Sequence, residues 1–318
     1  MTSPEPIRVG TRGSLLARTQ TLWVLEQLRQ RHASLRFETV VIQTAGDRRP
    51  SRPGAGPEAK GLFTGEIEEA LRLGAVDLAV HSLKDLPTSS PPGLALGAVP
   101  PREDPRDVLV GRTWESLAAA PETVRLGTSS LRRQAQLRRA LPGCRVQDLR
   151  GNLDTRLAKV REGVVDAAVL AAAGLHRLGR ADVISARLPP ELMLPAPGQG
   201  ALALQVRQGD APRFALVRSI HCESTWQSVT AERCFMHALG GGCRLPVAAL
   251  AVVEHGSLRL HGRVLSRDGG QCLEGWREGP AAAAEALGRA LAQELIAQGA
   301  DRIVRAIEQE LQMGAWHA

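Results

Sequence analysis

IRVG at residues 7–10 opens the stretch that decides the fold, and FETVVIQT at 37–44 and VDLAVHS at 76–82 follow it. Amphipathic segments at about 14–31 and about 64–73 separate these three apolar runs. Short apolar runs that alternate with helical segments are typical of βαβαβ units, in which helices cross over between parallel strands. The stretch therefore predicts a parallel sheet with helices packed against it.

A second series of the same kind begins with DVLVG at residues 107–111 and ends with DAAVLAAAGL at 166–175. It predicts a second sheet. The proline-rich VPPREDPRD at 99–107 joins the two series, and LPAPGQGALALQV at 194–206 follows the second. Such segments mark crossings between domains, so we expect the chain to cross twice and to return a strand to the first sheet.

These boundaries predict an α/β protein of three domains. Domain 1 comprises residues 1–100 and 200–217, and domain 2 comprises residues 101–199. Domain 3 is a small α+β domain of residues 218–318, where alternating strand segments precede an alanine-rich helical end. Because two crossings join the first two domains, we expect a cleft between them.

The chain is basic, with a formal net charge of +7 in 318 residues and a sequence pI near 9.9. Aromatic residues make up only 3% and tyrosine is absent, so the stacking surfaces of a nucleic-acid groove are scarce. A small acidic ligand accounts for the charge at least as well. Because no apolar run reaches the roughly 18 residues of a membrane span and no signal-peptide pattern is present, we expect a cytoplasmic protein without membrane or nucleic-acid partners.

The five cysteines form no CxxC pair, which argues against a disulfide framework and against a structural zinc site, so we predict no bound metal. Cys243 stands in the glycine run GGGCRLP at 240–246. This run follows a predicted helix at 225–239, with a capping box formed by Ser224 and Gln227. Glycines let another group approach the sulfur closely, while a position after a helix C-terminus does not activate a thiol. We interpret Cys243 as an anchor and not as a nucleophile.

Arginines stand beside three predicted helix starts, each preceded by a predicted strand. They are Arg12, Arg132, Arg133, Arg150 and Arg156. A cation at a helix N-terminus costs about 0.3 to 1 kcal/mol unless an anion is bound there. One explanation is that Ser14, Ser130 and Asn152 are plain N-caps and that the arginines are solvated. Three such sites together favour anion binding at the carboxyl ends of the strands, where open α/β sheets bind ligands.

Lys84 and Asp85 follow the strand VDLAVHS directly, and Pro87 stops the segment. They are therefore expected at the same edge of the sheet as the arginines. A carboxylate among cations is suited to stabilise a cationic intermediate and to accept a proton later. The alternative is a surface-turn carboxylate that pairs with Lys84.

Motifs along nearly the whole chain resemble those of the porphobilinogen deaminase family, also called hydroxymethylbilane synthases. They are TRGSLLA at 11–17, KGLF at 60–63, HSLKDLP at 81–87, REDPRD at 102–107, GTSSLRRQ at 127–134, LRGNLDTRL at 149–157, LAAAGLHRLG at 170–179, LPAPGQGAL at 194–202 and AERCFMHALGGGCRLP at 231–246. Such a set in this order is highly specific.

The resemblance implies two domains similar to the type II periplasmic binding fold around a cleft, and a third domain that carries a dipyrromethane cofactor. It implies a thioether between this cofactor and Cys243. It further implies a transferase of porphyrin and heme biosynthesis that condenses four porphobilinogen molecules head to tail. Linear hydroxymethylbilane is then released by hydrolysis. The expected partners are porphobilinogen and the growing polypyrrole chain, and the expected state is a monomer.

Matching the family's motifs residue by residue implies a role for each site residue. The catalytic residue would be Asp85. The residues that bind the cofactor would be Cys243, Ser14, Lys84, Asp85, Thr128, Ser129, Arg132 and Arg133. The residues that bind the substrate or the growing chain would be Arg12, Arg150, Arg156, Lys60 and Phe63.

Two other functions remain possible from the residues alone. A two-lobed anion-binding or sensor protein without catalysis would fit the same fold class. It assigns no role to Cys243. A nucleic-acid-binding protein would fit the pI and would bind unrelated DNA tightly and with strong salt dependence.

Overall fold

The computed structural model describes residues 5–48, 62–241 and 245–312. In chain order the strands are β1 (Ile7–Arg12), β2 (Phe37–Ile42), β3 (Leu78–Ser82), β4 (Leu94–Ala98), β5 (Asp107–Val110), β6 (Arg125–Gly127), β7 (Arg145–Gln147), β8 (Ala167–Ala171), β9 (Ile184–Arg187), β10 (Leu202–Arg207), β11 (Val247–Glu254), β12 (Ser257–Leu265) and β13 (Cys272–Pro280). The α-helices are α1 (Leu15–Arg31), α2 (Ala45–Arg48), α3 (Gly65–Arg72), α4 (Trp114–Ala119), α5 (Leu131–Ala140), α6 (Leu153–Arg161), α7 (Ala172–Arg177), α8 (Ala211–Arg218), α9 (Glu223–Ala238), α10 (Ala284–Ala297) and α11 (Ala300–Gln312). Within the described ranges, no helix is long and apolar enough to cross a membrane.

The first sheet has the strand order β2-β1-β3-β10-β4. β1 pairs in parallel with β2 and β3, as the opening stretch of sequence predicts. β10 runs antiparallel between β3 and β4, so a strand from far along the chain completes this sheet. Side chains such as Val9, Leu78 and Leu204 are fully buried because helices cover the sheet.

The second sheet has the order β7-β6-β8-β5-β9, which repeats the pattern of the first. β6 pairs in parallel with β7 and β8, while β5 runs antiparallel to β8 and β9. In both sheets the parallel strands end at the same edge, which is the edge where such sheets bind ligands. The α/β class expected from the sequence is confirmed by these two sheets.

The third sheet, β11-β12-β13, is antiparallel, and α9, α10 and α11 pack against one of its faces. Phe235 and Leu291 are fully buried between helices and sheet. Gly262 permits this contact, because a Cβ there would lie 2.6 Å from the Phe235 ring. The α+β character expected of this part is therefore present.

The start of α9 differs from the predicted capping box. The helix begins at Glu223 with Cys222 at the N-cap, so Ser224 lies within the first turn. The backbone N–H of Cys222 donates to the carbonyl of Val99 at 2.9 Å, and this bond holds the chain extended just before the helix. The hydroxyl of Ser228 donates to the Ser224 carbonyl, which is an interaction within a helix.

Candidate active site

The residues predicted to act together lie at the carboxyl ends of the parallel strands. Arg12 is the last residue of β1, and Lys84 and Asp85 form a 3-10 turn directly after β3. Thr128 and Ser129 follow β6 in the second sheet. This edge of both sheets is therefore a single polar region, and the second crossing of the chain runs through it.

Gln199 connects the two sheets inside this region. The Lys84 ammonium donates to Gln199 Oε1 at 3.3 Å. Gln199 Nε2 in turn donates to Asp107 Oδ1 at 2.9 Å and to the Pro105 carbonyl at 2.7 Å. Asp107 is the first residue of β5, so these bonds link the turn after β3 to the second sheet. The turn is also fixed by a bond from the Leu83 N–H to the Ala201 carbonyl.

Asp107 holds two predicted ligand-binding arginines. Arg132 Nη1 donates to one carboxylate oxygen at 2.7 Å, and Arg133 Nη2 donates to the other at 2.7 Å. Asp107 is fully buried, and Arg132 and Arg133 are only 4% and 5% exposed. Burial would raise the pKa of Asp107, but the charges and hydrogen bonds of the two arginines hold it below its ordinary value. Two buried guanidinium groups thus share one carboxylate, which leaves an excess of positive charge.

The positive charge of this cluster shifts the pKa values of neighbouring residues. Burial, and then the charge of Arg133, lowers the pKa of Lys84 to about 8. The same two causes lower the pKa of Arg156 to about 10. Asp85 opposes both shifts, so its carboxylate lies close enough to Lys84 and Arg156 for their charges to interact. Lys84, Asp85, Arg133 and Arg156, together with Arg132 and Asp107, form the centre of the site.

Asp85 is half-buried in the 3-10 turn. Within the described part of the chain, its side chain makes no hydrogen bond, and the Lys84 ammonium is directed to Gln199 instead. Arg233 of α9 donates to the carbonyls of Leu86 and Pro87 at 3.3 and 2.7 Å. The position of the Asp85 backbone is therefore fixed from α9, while its carboxylate remains available to a ligand.

The hydroxyl groups near the helix starts differ in what they bind. Ser14 Oγ accepts from the Ala17 N–H at 3.3 Å and caps α1, whereas Ser130 and Asn152 occupy N-cap positions without such a bond. Thr128 Oγ1 accepts from the Ser130 N–H. Ser129 Oγ is buried and has no hydrogen-bond partner among the described residues. Of these three N-cap residues, only Ser14 therefore caps its helix with a side-chain hydrogen bond.

Arg12 lies under an aromatic ring and beside a carboxylate. Its guanidinium carbon is 4.2 Å from the centre of the Phe63 ring, which is a cation–π contact. Its Nη2 donates to Asp47 Oδ1 at 2.6 Å. Phe63 and Arg12, both predicted to bind the substrate, are thus in contact, and Asp47 is an additional partner of Arg12.

The remaining predicted residues lie at the edge of the site or outside the described ranges. Arg150 forms an ion pair with Asp148 at 3.0 Å, and the two side chains are 40% and 51% exposed. Arg156 reaches inward from α6, where its Nε donates to the Gly151 carbonyl. Lys60 and Cys243 both lie outside the described residues.

Three site residues were missed by reasoning from the sequence: Gln199, Asp107 and Asp47. Gln199 stands between two glycines, and Gly200 has a φ of +89° and packs so closely that a Cβ would lie 2.3 Å from the Glu103 carbonyl oxygen. This glycine was a usable signal of a close backbone approach. No signal marked the two aspartates as partners of arginines, because pairs so far apart in sequence form only in the folded chain.

Among the described residues, the centre of the site carries more cations than carboxylates. The cations are Lys84, Arg132, Arg133 and Arg156, and the carboxylates are Asp85 and Asp107. Burying unbalanced charge is unfavourable unless an anion completes it. The arrangement therefore suits a ligand that brings several carboxylates of its own, as well as a polar group for the unpartnered Ser129 hydroxyl.

Two protein-family models match most of this chain. Residues 7–213 match the family model described as "Porphobilinogen deaminase, dipyromethane cofactor binding domain", and residues 226–297 match "Porphobilinogen deaminase, C-terminal domain". Together the two matches cover nearly all of the elements that build the site.

Close relatives share this family. The porphobilinogen deaminase of Syntrophotalea carbinolica is 47% identical over 306 residues, which are 96% of this chain and 97% of that protein. The porphobilinogen deaminase of Thermus thermophilus is 47% identical over 300 residues, or 94% of this chain and 98% of that protein. Among solved structures, the periplasmic VFT2 domain of Bordetella pertussis BvgS is 18% identical, covers 67% of this chain and 86% of its own, and has a TM-score of 0.40, a likeness too distant to bear on this chain. From the family models and the relatives, the chain belongs to the porphobilinogen deaminase family.

Proposed function

We propose that this chain synthesises hydroxymethylbilane. Four porphobilinogen molecules are joined head to tail, with loss of one ammonia each, onto a covalent dipyrromethane primer, and the linear tetrapyrrole is released by hydrolysis. The observation that carries the proposal is the Asp85 carboxylate, which is unengaged by hydrogen bonds within the described residues and lies among Lys84 and Arg156. A carboxylate in this setting can stabilise a cationic carbon of the substrate.

The residues present fit a dipyrromethane group. Each pyrrole ring carries an acetate and a propionate, and within the described residues the central cluster holds four cations and the two carboxylates of Asp85 and Asp107. Lys84, Arg132 and Arg133 would bind these carboxylates, while Ser14, Thr128 and the unpartnered hydroxyl of Ser129 would bind at the rim. When bound, the group supplies a pyrrole α-carbon that acts as a nucleophile.

Cys243 is the proposed attachment point, through a thioether. It follows α9, and Arg233 of this helix is bonded to the carbonyls beside Asp85. A group attached shortly after α9 would therefore be held by the same helix that fixes the catalytic turn. The attachment itself rests on the sequence motif, because Cys243 lies outside the described residues.

Asp85 is the proposed catalytic residue, and its task has two parts. The C–N bond of the substrate's aminomethyl group breaks, ammonia leaves, and the Asp85 carboxylate stabilises the cationic methylene carbon that remains. Asp85 would also accept the proton that the attacking pyrrole α-carbon loses when a C–C bond to this methylene carbon forms. In hydrolytic release, Asp85 would return a proton to the primer's α-carbon as the C–C bond between this carbon and the product's methylene carbon breaks. Water would then add to the methylene carbon and give its remaining proton to Asp85.

The other arginines are proposed to bind the substrate and the growing chain. Arg12, Arg150 and Arg156 would meet its carboxylates, because each guanidinium group can donate two parallel hydrogen bonds to one carboxylate. Phe63 would cover Arg12, with which it already makes a cation–π contact. Lys60 is assigned by its motif alone.

We further propose the three domains as bounded from the sequence: residues 1–100 with 200–217, residues 101–199, and residues 218–318. The position of β10 in the first sheet supports the split first domain. We expect a monomer in the cytoplasm that binds neither nucleic acid nor membranes. Size-exclusion chromatography, cell fractionation and binding assays with DNA and with vesicles would test these expectations.

The decisive experiment is to incubate the purified protein with porphobilinogen and to measure linear tetrapyrrole after oxidation, together with the intact mass of the protein. We expect product, and an added mass equal to one dipyrromethane on the resting enzyme. Asp85→Ala should abolish turnover but keep the added mass, whereas Glu69→Gln, on an exposed ion pair of α3, should behave as wild type. Binding of porphobilinogen without turnover by the wild type would refute the proposal in favour of an anion-binding protein.

A further inference from the structure

The guanidinium group of Arg12 already contacts a carboxylate along one edge and an aromatic ring on one face. Its Nη2 and Nε donate to the two oxygens of Asp47 at 2.6 and 3.4 Å, and the Phe63 ring covers its guanidinium. The Arg12 side chain is only 19% exposed. A substrate carboxylate that reaches Arg12 therefore meets a guanidinium group whose charge another carboxylate already balances.

Asp47 is held in place independently of Arg12. Its Oδ2 accepts from the Thr44 hydroxyl at 2.8 Å and from the Thr44 backbone N–H at 3.3 Å, and Thr44 is fully buried. Burial would raise the pKa of Asp47, but the hydrogen bonds from Arg12 and Thr44 hold it below its ordinary value. The local turn thus presents a fixed negative charge to Arg12.

A second arginine–aspartate pair on the same strand shows what is particular about this one. Arg8, at the beginning of β1, also donates to both oxygens of an aspartate, Asp77. That pair lies at the opposite end of the strand from the site, and Arg8 is 41% exposed. Asp77 also lies 3.6 Å from Arg207 Nη2. Both pairs join an arginine to both oxygens of an aspartate, but only Arg12 and Asp47 lie at the ligand-binding edge.

We propose that Asp47 is an internal competitor for the substrate carboxylate at Arg12. This inference rests on the proposed function, in which one pyrrole unit after another must occupy the site and move on. An unpaired guanidinium in so covered a position is costly, so an arginine without an internal partner would retain each carboxylate tightly. Asp47 takes the place of the departing carboxylate, which weakens substrate binding and permits exchange.

The test is the steady-state kinetics of the cofactor-bearing enzyme with porphobilinogen. Asp47→Asn keeps an oxygen for the Thr44 donors but removes the charge, and we expect KM to fall about three- to tenfold without an increase in kcat. Added salt should raise KM more steeply than in the wild type, because Arg12 now carries an unbalanced charge. Asp47→Ser, which also removes the charge, should give the same direction and serves if the first variant does not fold.

Asp77→Asn is the matched control, since it removes the same kind of partner from Arg8 and should leave KM unchanged. Thermal unfolding of all variants separates loss of fold from altered binding. An unchanged or raised KM in the folded neutral variants would overturn the inference, as would an equal fall of KM in Asp77→Asn. If the wild type makes no tetrapyrrole at all, the proposed function fails instead, so the two failures are distinguishable.

Discussion

Arg102 and Glu232 form a bidentate ion pair. Nη1 and Nη2 of Arg102 lie 2.6 and 3.1 Å from the two oxygens of the fully buried Glu232 carboxylate. The same carboxylate accepts from the backbone N–H groups of Gly198 and Ala251. Arg102 lies on the first crossing between the sheets, Gly198 lies on the second, and Ala251 lies on β11. One side chain of α9 therefore joins both crossings to the third sheet.

Arg102→Ala is expected to destabilise the protein by about 3 to 5 kcal/mol, because it leaves the Glu232 carboxylate buried without its cation. Urea unfolding followed by circular dichroism would measure the change. Glu69→Gln, which breaks the exposed pair with Arg72, should cost less than about 1 kcal/mol. A similar small effect of both variants would contradict this role of the buried pair.

Asp107→Asn should destabilise the protein at neutral pH by a comparable amount, since two buried guanidinium groups would lose their carboxylate. The folded-state pKa of Asp107 is depressed below its ordinary value of 3.8, so its contribution is present above that pH and is lost as the pH falls below it. The wild type should therefore lose more stability than the variant does as the pH falls from about 4 towards about 2. If stability falls equally with pH in the wild type and in Asp107→Asn, Asp107 contributes little to the acid dependence of stability.

The affinity for carboxylate ligands should weaken in mildly alkaline solution. Because the pKa of Lys84 is lowered to about 8, the ammonium loses its proton as the pH rises through this value, and the site becomes less cationic. The fraction of cofactor-free protein that takes up the dipyrromethane should accordingly fall between about pH 7 and about pH 9. Lys84→Gln should show a low uptake with a weaker dependence on pH. Equal pH profiles for the variant and the wild type would exclude Lys84 as the titrating group.

Ser129→Ala and Ser14→Ala should differ in their effects on the stability of the protein. The Ser129 hydroxyl has no partner among the described residues, so its removal should leave the stability of the cofactor-free protein unchanged or slightly higher. It should still reduce the fraction of protein that retains the cofactor, measured by intact mass. Ser14→Ala removes the cap of α1 and should cost about 1 kcal/mol in thermal unfolding. A large loss of stability in Ser129→Ala would show that its hydroxyl is satisfied without a ligand.

Local patterns in the sequence were sufficient for the elements of the fold. The apolar runs became β1, β2 and β3, and the amphipathic segments became α1 and α3. Such elements follow from neighbouring residues, because strand and helix periodicity is a local property. The predicted start of α9 was wrong, because the helix begins at Glu223, ahead of the expected cap at Ser224. The hydrogen bond from Cys222 to Val99, which is distant in sequence, holds the chain just before this start.

The sequence by itself determined the α/β class, the two crossings and the concentration of arginines and of Asp85 at strand ends, because each follows from residues close together in the chain. Only the tertiary structure decided which carboxylates these cations meet. Asp107 pairs with Arg132 and Arg133, Asp47 pairs with Arg12, and Asp85 makes no hydrogen bond within the described residues. Charge pairing depends on distance through space, and folding alone sets that distance.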